Sequence, residues 1–83
     1  MNLKLRYFAS IREAVGQGSE ALQTRSETLG ALRDELIARG EPYASCLARG
    51  KPVRMALDQV MSDESAVLRE GCEVAFFPPV TGG

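Results

Sequence analysis

Asn2-Leu3-Lys4-Leu5-Arg6-Tyr7-Phe8 alternates polar with apolar residues up to Tyr7. Leu3, Leu5 and Tyr7 share one parity and Asn2, Lys4 and Arg6 the other, which is the period of a half-buried strand. Phe8 breaks the alternation, because parity sets this aromatic on the polar face. Ser10-Ile11-Arg12-Glu13 comes next. Its spacing is that of a capping box, in which the Ser10 hydroxyl caps a helix and Glu13 reaches back to it. A short helix is expected from there to Gly16, with Gly16-Gln17-Gly18 as a loop.

Farther along, Glu20 to Thr24 reads as a second strand. Thr28 is a suitable N-cap, and Leu29, Leu32 and Leu36 recur at the spacing of a helix face. Glu35 and Arg39 stand four apart, as an ion pair along the helix requires, and Gly40 is a C-terminal stop. The main helix is therefore expected over 28–39. Pro42 and Arg49-Gly50-Lys51-Pro52 bracket a compact connection with room for one helical turn. Val53, Met55 and Leu57 alternate with Arg54 and Ala56 as a strand, Asp58-Gln59 turns the chain, and Val60-Met61 begins a short return. Leu68 is an isolated apolar anchor. Glu73-Val74-Ala75-Phe76-Phe77 is the final strand, and Pro78-Pro79 ends it because proline cannot donate to a ladder. One helix and four or five strands, each with a single face to bury, predict an α+β domain with the helix packed across one side of a mixed sheet. The first and last strands are the most apolar and are expected at its centre, the arrangement of the ubiquitin-like β-grasp.

Eighty-three residues make one small domain, and size scaling predicts that roughly 60% of the unfolded chain's surface is buried on folding. A deep catalytic cleft is hard to build at that size. The ten Lys and Arg nearly balance the eleven Asp and Glu, giving a net charge of −1, which argues against nucleic acid or an anionic membrane as partner. No apolar run approaches the length of a membrane span, and a cytoplasmic location is expected. The chain has no histidine, which excludes Ser-His-Asp and Cys-His catalysis. Its two cysteines form no CxxC pair, so neither a metal site nor redox chemistry is expected. Cys46, in an apolar stretch, reads as a buried small hydrophobe; Cys72, after Gly71 at a turn, reads as partly exposed.

Pro78-Pro79-Val80-Thr81-Gly82-Gly83 carries the chemistry. Two prolines stiffen an extended segment, and the last two residues have no side chains. Four residues beyond the prolines reach at most ~14 Å and can enter a channel too narrow for side chains. A terminal carboxylate at Gly83 is an anion at neutral pH and resists nucleophiles until it becomes a mixed anhydride such as an acyl-adenylate. Displacement of AMP by sulfide then leaves a C-terminal thiocarboxylate, a sulfur nucleophile that can be delivered to a substrate on another protein.

Residues 73–83, Glu-Val-Ala-Phe-Phe-Pro-Pro-Val-Thr-Gly-Gly, resemble the C-terminal signature of the molybdopterin synthase small-subunit family, the sulfur carriers of molybdenum cofactor synthesis. Tyr7-Phe8-Ala9-Ser10-Ile11-Arg12-Glu13 is similar to that family's strand-to-helix motif, and Thr28-Leu29-Gly30-Ala31-Leu32-Arg33 to its main helix start. Leu57-Asp58-Gln59 departs from an expected Val-Asn-Gln. The resemblance implies a β-grasp domain over 1–77 and a tail over 78–83. It implies that Gly83 is adenylated by a ubiquitin-activating-like adenylyltransferase that uses ATP, and then receives sulfur from a donor protein. Val80, Thr81 and Gly82 would insert into the large subunit of a heterotetrameric synthase. The sulfur would go to cyclic pyranopterin monophosphate, with the pocket and catalytic bases on the large subunit and no cofactor bound by this chain.

A thiamine-pathway sulfur carrier, a ubiquitin-like modifier that joins target lysines, and a binding module with an inert tail stay open beside this reading. Arg49, Lys51 and Arg54 are either a docking patch for an acidic partner surface or an ordinary solvated loop. In the last strand, parity sets Phe77 opposite to Val74 and Phe76. Phe8 and Phe77 are then expected as neighbours on the open face of the sheet, with Met61 extending the patch as a partner interface. The alternative is that the short helix folds over the rings and hides them. Arg12, inside the strand-to-helix motif, is grouped with the partner-binding residues.

Overall fold

The alternation at the start of the chain forms strand β1 (Asn2–Tyr7) in a computed structural model that describes residues 1–79. The expectations for Val80, Thr81, Gly82 and Gly83 lie outside the described residues. Helix α1 (Ala9–Val15), strand β2 (Ser19–Gln23), helix α2 (Leu29–Ala38), a single turn α3 (Tyr43–Cys46), and strands β3 (Arg54–Leu57), β4 (Val60–Ser62) and β5 (Glu73–Phe77) follow. The strands form one sheet in the order β2-β1-β5-β3-β4. β1 and β5 run parallel, with Leu5 opposite Val74 and Tyr7 opposite Phe76, and every other pairing is antiparallel. Parallel neighbours cannot be joined by a hairpin, so the chain between them crosses over one face. The helix-bearing crossover completes the β-grasp expected from the sequence.

The core lies between that face and α2. Leu5, Tyr7, Val74 and Phe76 from the sheet meet Leu29, Leu32 and Leu36 from the helix, all at 0–1% exposure. Tyr7 stacks on Phe76 with centroids 6.0 Å apart. Leu68 is buried, as an apolar anchor should be. Thr28 caps α2 through a hydrogen bond donated by the Ala31 N–H (3.2 Å), and α1 stops at Gly16, whose φ of 88° suits a residue without Cβ. Asp58 (φ 49°) and Gln59 (φ 69°) form the tight turn between β3 and β4.

Four local expectations are corrected. Ser10 caps nothing: the Phe8 N–H donates to the Phe76 carbonyl (3.1 Å), which holds Phe8 extended as the last rung of the ladder. The first helical turn then closes on the Phe8 carbonyl, which accepts from Ile11 and Arg12, so the helix begins before Ser10 can cap it. Glu35 does not pair with Arg39, because tertiary partners win. Glu35 accepts from the Thr24 and Ser26 hydroxyls, while Arg39 donates to Glu20 (2.8 Å) and lies over the Tyr43 ring. The cysteines exchange roles, since Cys72 is 5% exposed in the core and Cys46 is only half-buried. β2 begins one residue earlier than expected and ends at Gln23.

Arg33 carries a feature that periodicity does not reveal. Its buried guanidinium donates to the carbonyls of Leu47 (2.7 Å) and Ala48 (2.9 Å) and pairs with Glu64 (3.5 Å). One side chain thereby ties the segment after α3 to the main helix.

Truncating Phe76 to Ala is expected to cost about 3–5 kcal/mol, as for other fully buried aromatics, and to lower the melting temperature by well over 10 °C. The Tyr7 hydroxyl is buried and has no hydrogen-bond partner among the described residues. Burial, then the Glu20 carboxylate, pushes its phenol far above the ordinary tyrosine range. The folded state therefore keeps Tyr7 neutral where the unfolded chain ionises, so its contribution is intact below pH ~10 and falls by ~1.4 kcal/mol per pH unit above it. Tyr7→Phe should melt like the parent at neutral pH and lose less stability than the parent above pH 10. Parallel pH–melting curves check both points.

Candidate functional site

Residues directly opposite one another on paired strands share a face of the sheet. On β1 the open face, away from α2, carries Lys4 and Arg6, and Phe8 continues it just past the strand. On β5 it carries Glu73, Ala75 and Phe77, on β3 Arg54 and Ala56, and on β4 Met61. At the end where β1 and β5 both finish, the Phe8 and Phe77 rings meet edge to face with centroids 6.4 Å apart and planes at 87°. Phe8 is 41% exposed, so α1 does not hide it, and Phe77 is half-buried. The parity reading of these two rings holds.

Met61, at 55% exposure, belongs to the same face. A row across the sheet runs from Arg6 through Ala75 and Ala56 to Met61, and both alanines are nearly covered. The centre of the face is therefore a floor of methyl groups, bounded by the aromatic pair at one end and by Met61 at the β4 edge. The sequence reading missed this floor. Its signal was Ala56 and Ala75 at the polar parity of two strands, where a solvated face more often carries longer side chains.

The three cations at 49–54 do not form one patch. Arg49 bonds the carboxylates of Asp34 and Glu64, and those bonds hold its guanidinium well above the usual range. Arg54 projects on the open face opposite Phe77, and Lys51 lies on the other side beside Pro52 and Val53. Arg12, exposed on α1, shares a shallow depression with Arg6, Phe8 and Gly18. A Cβ at Gly18 would come 3.2 Å from Arg12 Nε, so the small residue lets the guanidinium lie close to the chain.

Behind the aromatic pair, Pro78 joins Ile11, Ala14, Pro42, Cys46 and Val53 around a groove of about 400 Å³. Burial pushes the Cys46 thiol up, the opposite of what a thiolate nucleophile requires. Among the described residues no group of three or more His, Cys, Asp or Glu side chains could hold a metal ion. No helix among them is long and apolar enough to cross a membrane. The distinctive geometry is thus a surface: an exposed apolar face whose aromatic end adjoins the root of the 78–83 segment. The terminal residues singled out above, Val80 to Gly83, lie outside the described part.

The pattern of the ThiS family matches residues 5–83. The molybdopterin synthase sulfur carrier subunit of Escherichia coli is 38% identical over 81 residues, covering 98% of this chain and 99% of that protein. Small archaeal modifier protein 3 of Haloferax volcanii is 34% identical over 97 residues, covering all of both. Among solved structures, the complex of subunits 1 and 2 of the molybdopterin-converting factor from Helicobacter pylori contains a chain that superposes with a TM-score of 0.69 at 23% identity, covering all of both chains. That likeness is one of fold.

Because the open-face side chains are only partly covered, Phe8→Ala, Phe77→Ala and Met61→Ala should each cost about 1 kcal/mol or less of stability, against several for Phe76→Ala. Thermal melts of the four variants check the assignment of faces. A loss at Phe77 as large as that at Phe76 would return the ring to the core.

Proposed function

The chain belongs to the ThiS family and matches a molybdopterin synthase sulfur carrier over nearly the full length of both, and on that footing we propose that it is the cytoplasmic sulfur carrier subunit of a molybdopterin synthase. The observation that carries the reading is the pairing of this likeness with an exposed aromatic face at the root of Pro78-Pro79-Val80-Thr81-Gly82-Gly83.

The chemistry follows from the tail. A Gly83 carboxylate oxygen attacks the α-phosphorus of ATP on an activating adenylyltransferase, and pyrophosphate leaves. Hydrosulfide, supplied by a sulfur donor protein, attacks the acyl carbon and AMP departs, leaving the thiocarboxylate. Its sulfur attacks a carbon of cyclic pyranopterin monophosphate held by the large subunit and displaces an oxygen substituent from that carbon, and hydrolysis of the acyl–sulfur bond by water returns the Gly83 carboxylate. Two rounds supply the two sulfurs of a dithiolene. The described part of this chain orients the tail by docking, through Phe8, Phe77 and Met61. It offers no base of its own at the reacting carbon: the chain lacks histidine, and its half-buried cysteine is held protonated.

The 34% likeness to a small archaeal modifier protein favours a second use of the same activated terminus, isopeptide bond formation with lysines of other proteins. The two reactions diverge at the nucleophile that meets the acyl-adenylate, sulfide in one case and a lysine amine in the other.

Intact mass after incubation with ATP, the activating enzyme and sulfide should rise by the mass of one sulfur minus one oxygen. Deleting Gly83 retracts the reactive carbon by ~3.5 Å and should lower pterin sulfuration by at least ~10²-fold with an unchanged melting curve. Gly82→Val should fail similarly, by adding a β-branched side chain where the channel admits none. Full sulfuration by a chain ending at Gly82 would overturn the mechanism, and lysine adducts without a thiocarboxylate would favour the modifier.

A further inference from the structure

The rings at the tail root are bracketed by charge. Arg6 lies over the face of Phe8, with its guanidinium carbon 5.4 Å from the ring centroid. Across the ladder, Arg54 is the register partner of Phe77. β1, β5 and β3 are consecutive in the sheet and Arg6 lies two residues out of register with Arg54, so the two cations flank the aromatic end about 12 Å apart at the backbone. Arg54 is exposed and has no ion-pair partner among the described residues. Arg6 keeps 43% of its side chain exposed and reaches Glu73 only at 3.7 Å, a weak surface pair.

The wider distribution points the same way. The open face carries Lys4, Arg6 and Arg54 against the single strand carboxylate of Glu73, on a chain whose net charge is −1. Of the seven cations elsewhere, Arg33, Arg39 and Arg49 bond carboxylates behind or beside the sheet, while Arg12, Arg25, Lys51 and Arg69 are exposed. What sets Arg6 and Arg54 apart from these is their place beside the exposed rings of Phe8 and Phe77.

We infer that Arg6 and Arg54 select the protein that covers this face, and that its docking surface is an apolar patch flanked by carboxylates. This rests on the reading that the face meets the large subunit, and it adds a chemical requirement to that reading. Phe8, Phe77 and Met61 supply contact area that any apolar surface could use. The two guanidiniums, carried on β1 and β3 with β5 between them, reward only a partner with acids at matching positions, and they oppose a cationic one.

The test measures association of the full-length chain with its large subunit at low and high salt. Arg6→Glu with Arg54→Glu should slow association about tenfold or more at low salt and little at high salt, because exposed charges act chiefly on encounter and are screened. Arg25→Glu with Arg69→Glu, both exposed and off this face, makes the same change in net charge and should leave the rate near the parent's. Equal slowing by both pairs would reduce the effect to net charge and overturn the inference, as would an unchanged rate for the Arg6 and Arg54 pair. The neutral pair Arg6→Gln with Arg54→Gln, expected to fall between parent and reversal, repeats the test without new charge should the reversal disturb folding. Phe8→Ala with Phe77→Ala separates the two claims. If it weakens binding while the reversal does nothing, the face stands and the charge requirement falls. If it leaves affinity unchanged, the docking face itself is wrong.

Discussion

The parallel pairing of β1 with β5 is the constraint from which the rest of the molecule follows. It sets the first and last described strands side by side, so the intervening chain must cross one face, and α2 with its three leucines is what covers that face. It stacks Tyr7 on Phe76 inside and, one residue later on each strand, meets Phe8 with Phe77 outside. The same rung of the ladder, Phe8 N–H to Phe76 carbonyl, decides where α1 begins. A period-two pattern can switch a side chain from core to surface only by advancing one residue. Two aromatics in a row on β5 thus serve two faces at once.

Much of this was legible in the sequence because it depended on period and punctuation. The alternation in residues 2–7, the leucines at 29, 32 and 36, Thr28 as cap and Gly16 as stop each report a local preference that the tertiary fold did not oppose. Parity alone assigned Phe8 and Phe77 to the open face. What was missed depended on partners distant in the chain. Ser10 lost its cap to a backbone bond with β5. Glu35 and Arg39 found better partners in Thr24, Ser26 and Glu20 than in each other. The cysteines were misjudged because their neighbours in sequence are not their neighbours in space. At the site, the alanine floor and the scattering of Arg49, Lys51 and Arg54 depended on strand register, which pattern alone does not supply.

The electrostatics divide into two kinds of work. Behind the sheet, carboxylates and guanidiniums hold segments together: Arg33 fixes the 47–48 carbonyls, Arg39 and Tyr43 converge on Glu20, and Arg49 links Asp34 to Glu64. On the open face, Arg6 reaches Glu73 and the Phe8 ring, while Lys4 and Arg54 have no ion-pair partner among the described residues. The proposed role, presenting a tail to a partner, suits a molecule braced behind the sheet and open on the other face. The histidine-free composition fits such a role, since the reacting groups it would otherwise need are assigned to whichever protein receives it.

The position of β5 also bears on the order in which the molecule can be built. It is the last described strand in sequence yet the middle one of five, and it contributes Val74 and Phe76 to the core. Until it emerges during synthesis, the antiparallel pairs β1 with β2 and β3 with β4 have no strand to join them. Each has an open edge. Pairing across that distance in sequence is the slow, nonlocal kind of contact. The domain is therefore committed to folding late and nearly all at once. The strand that completes the core leads directly into Pro78-Pro79, so that segment takes its place only in a chain that has already folded.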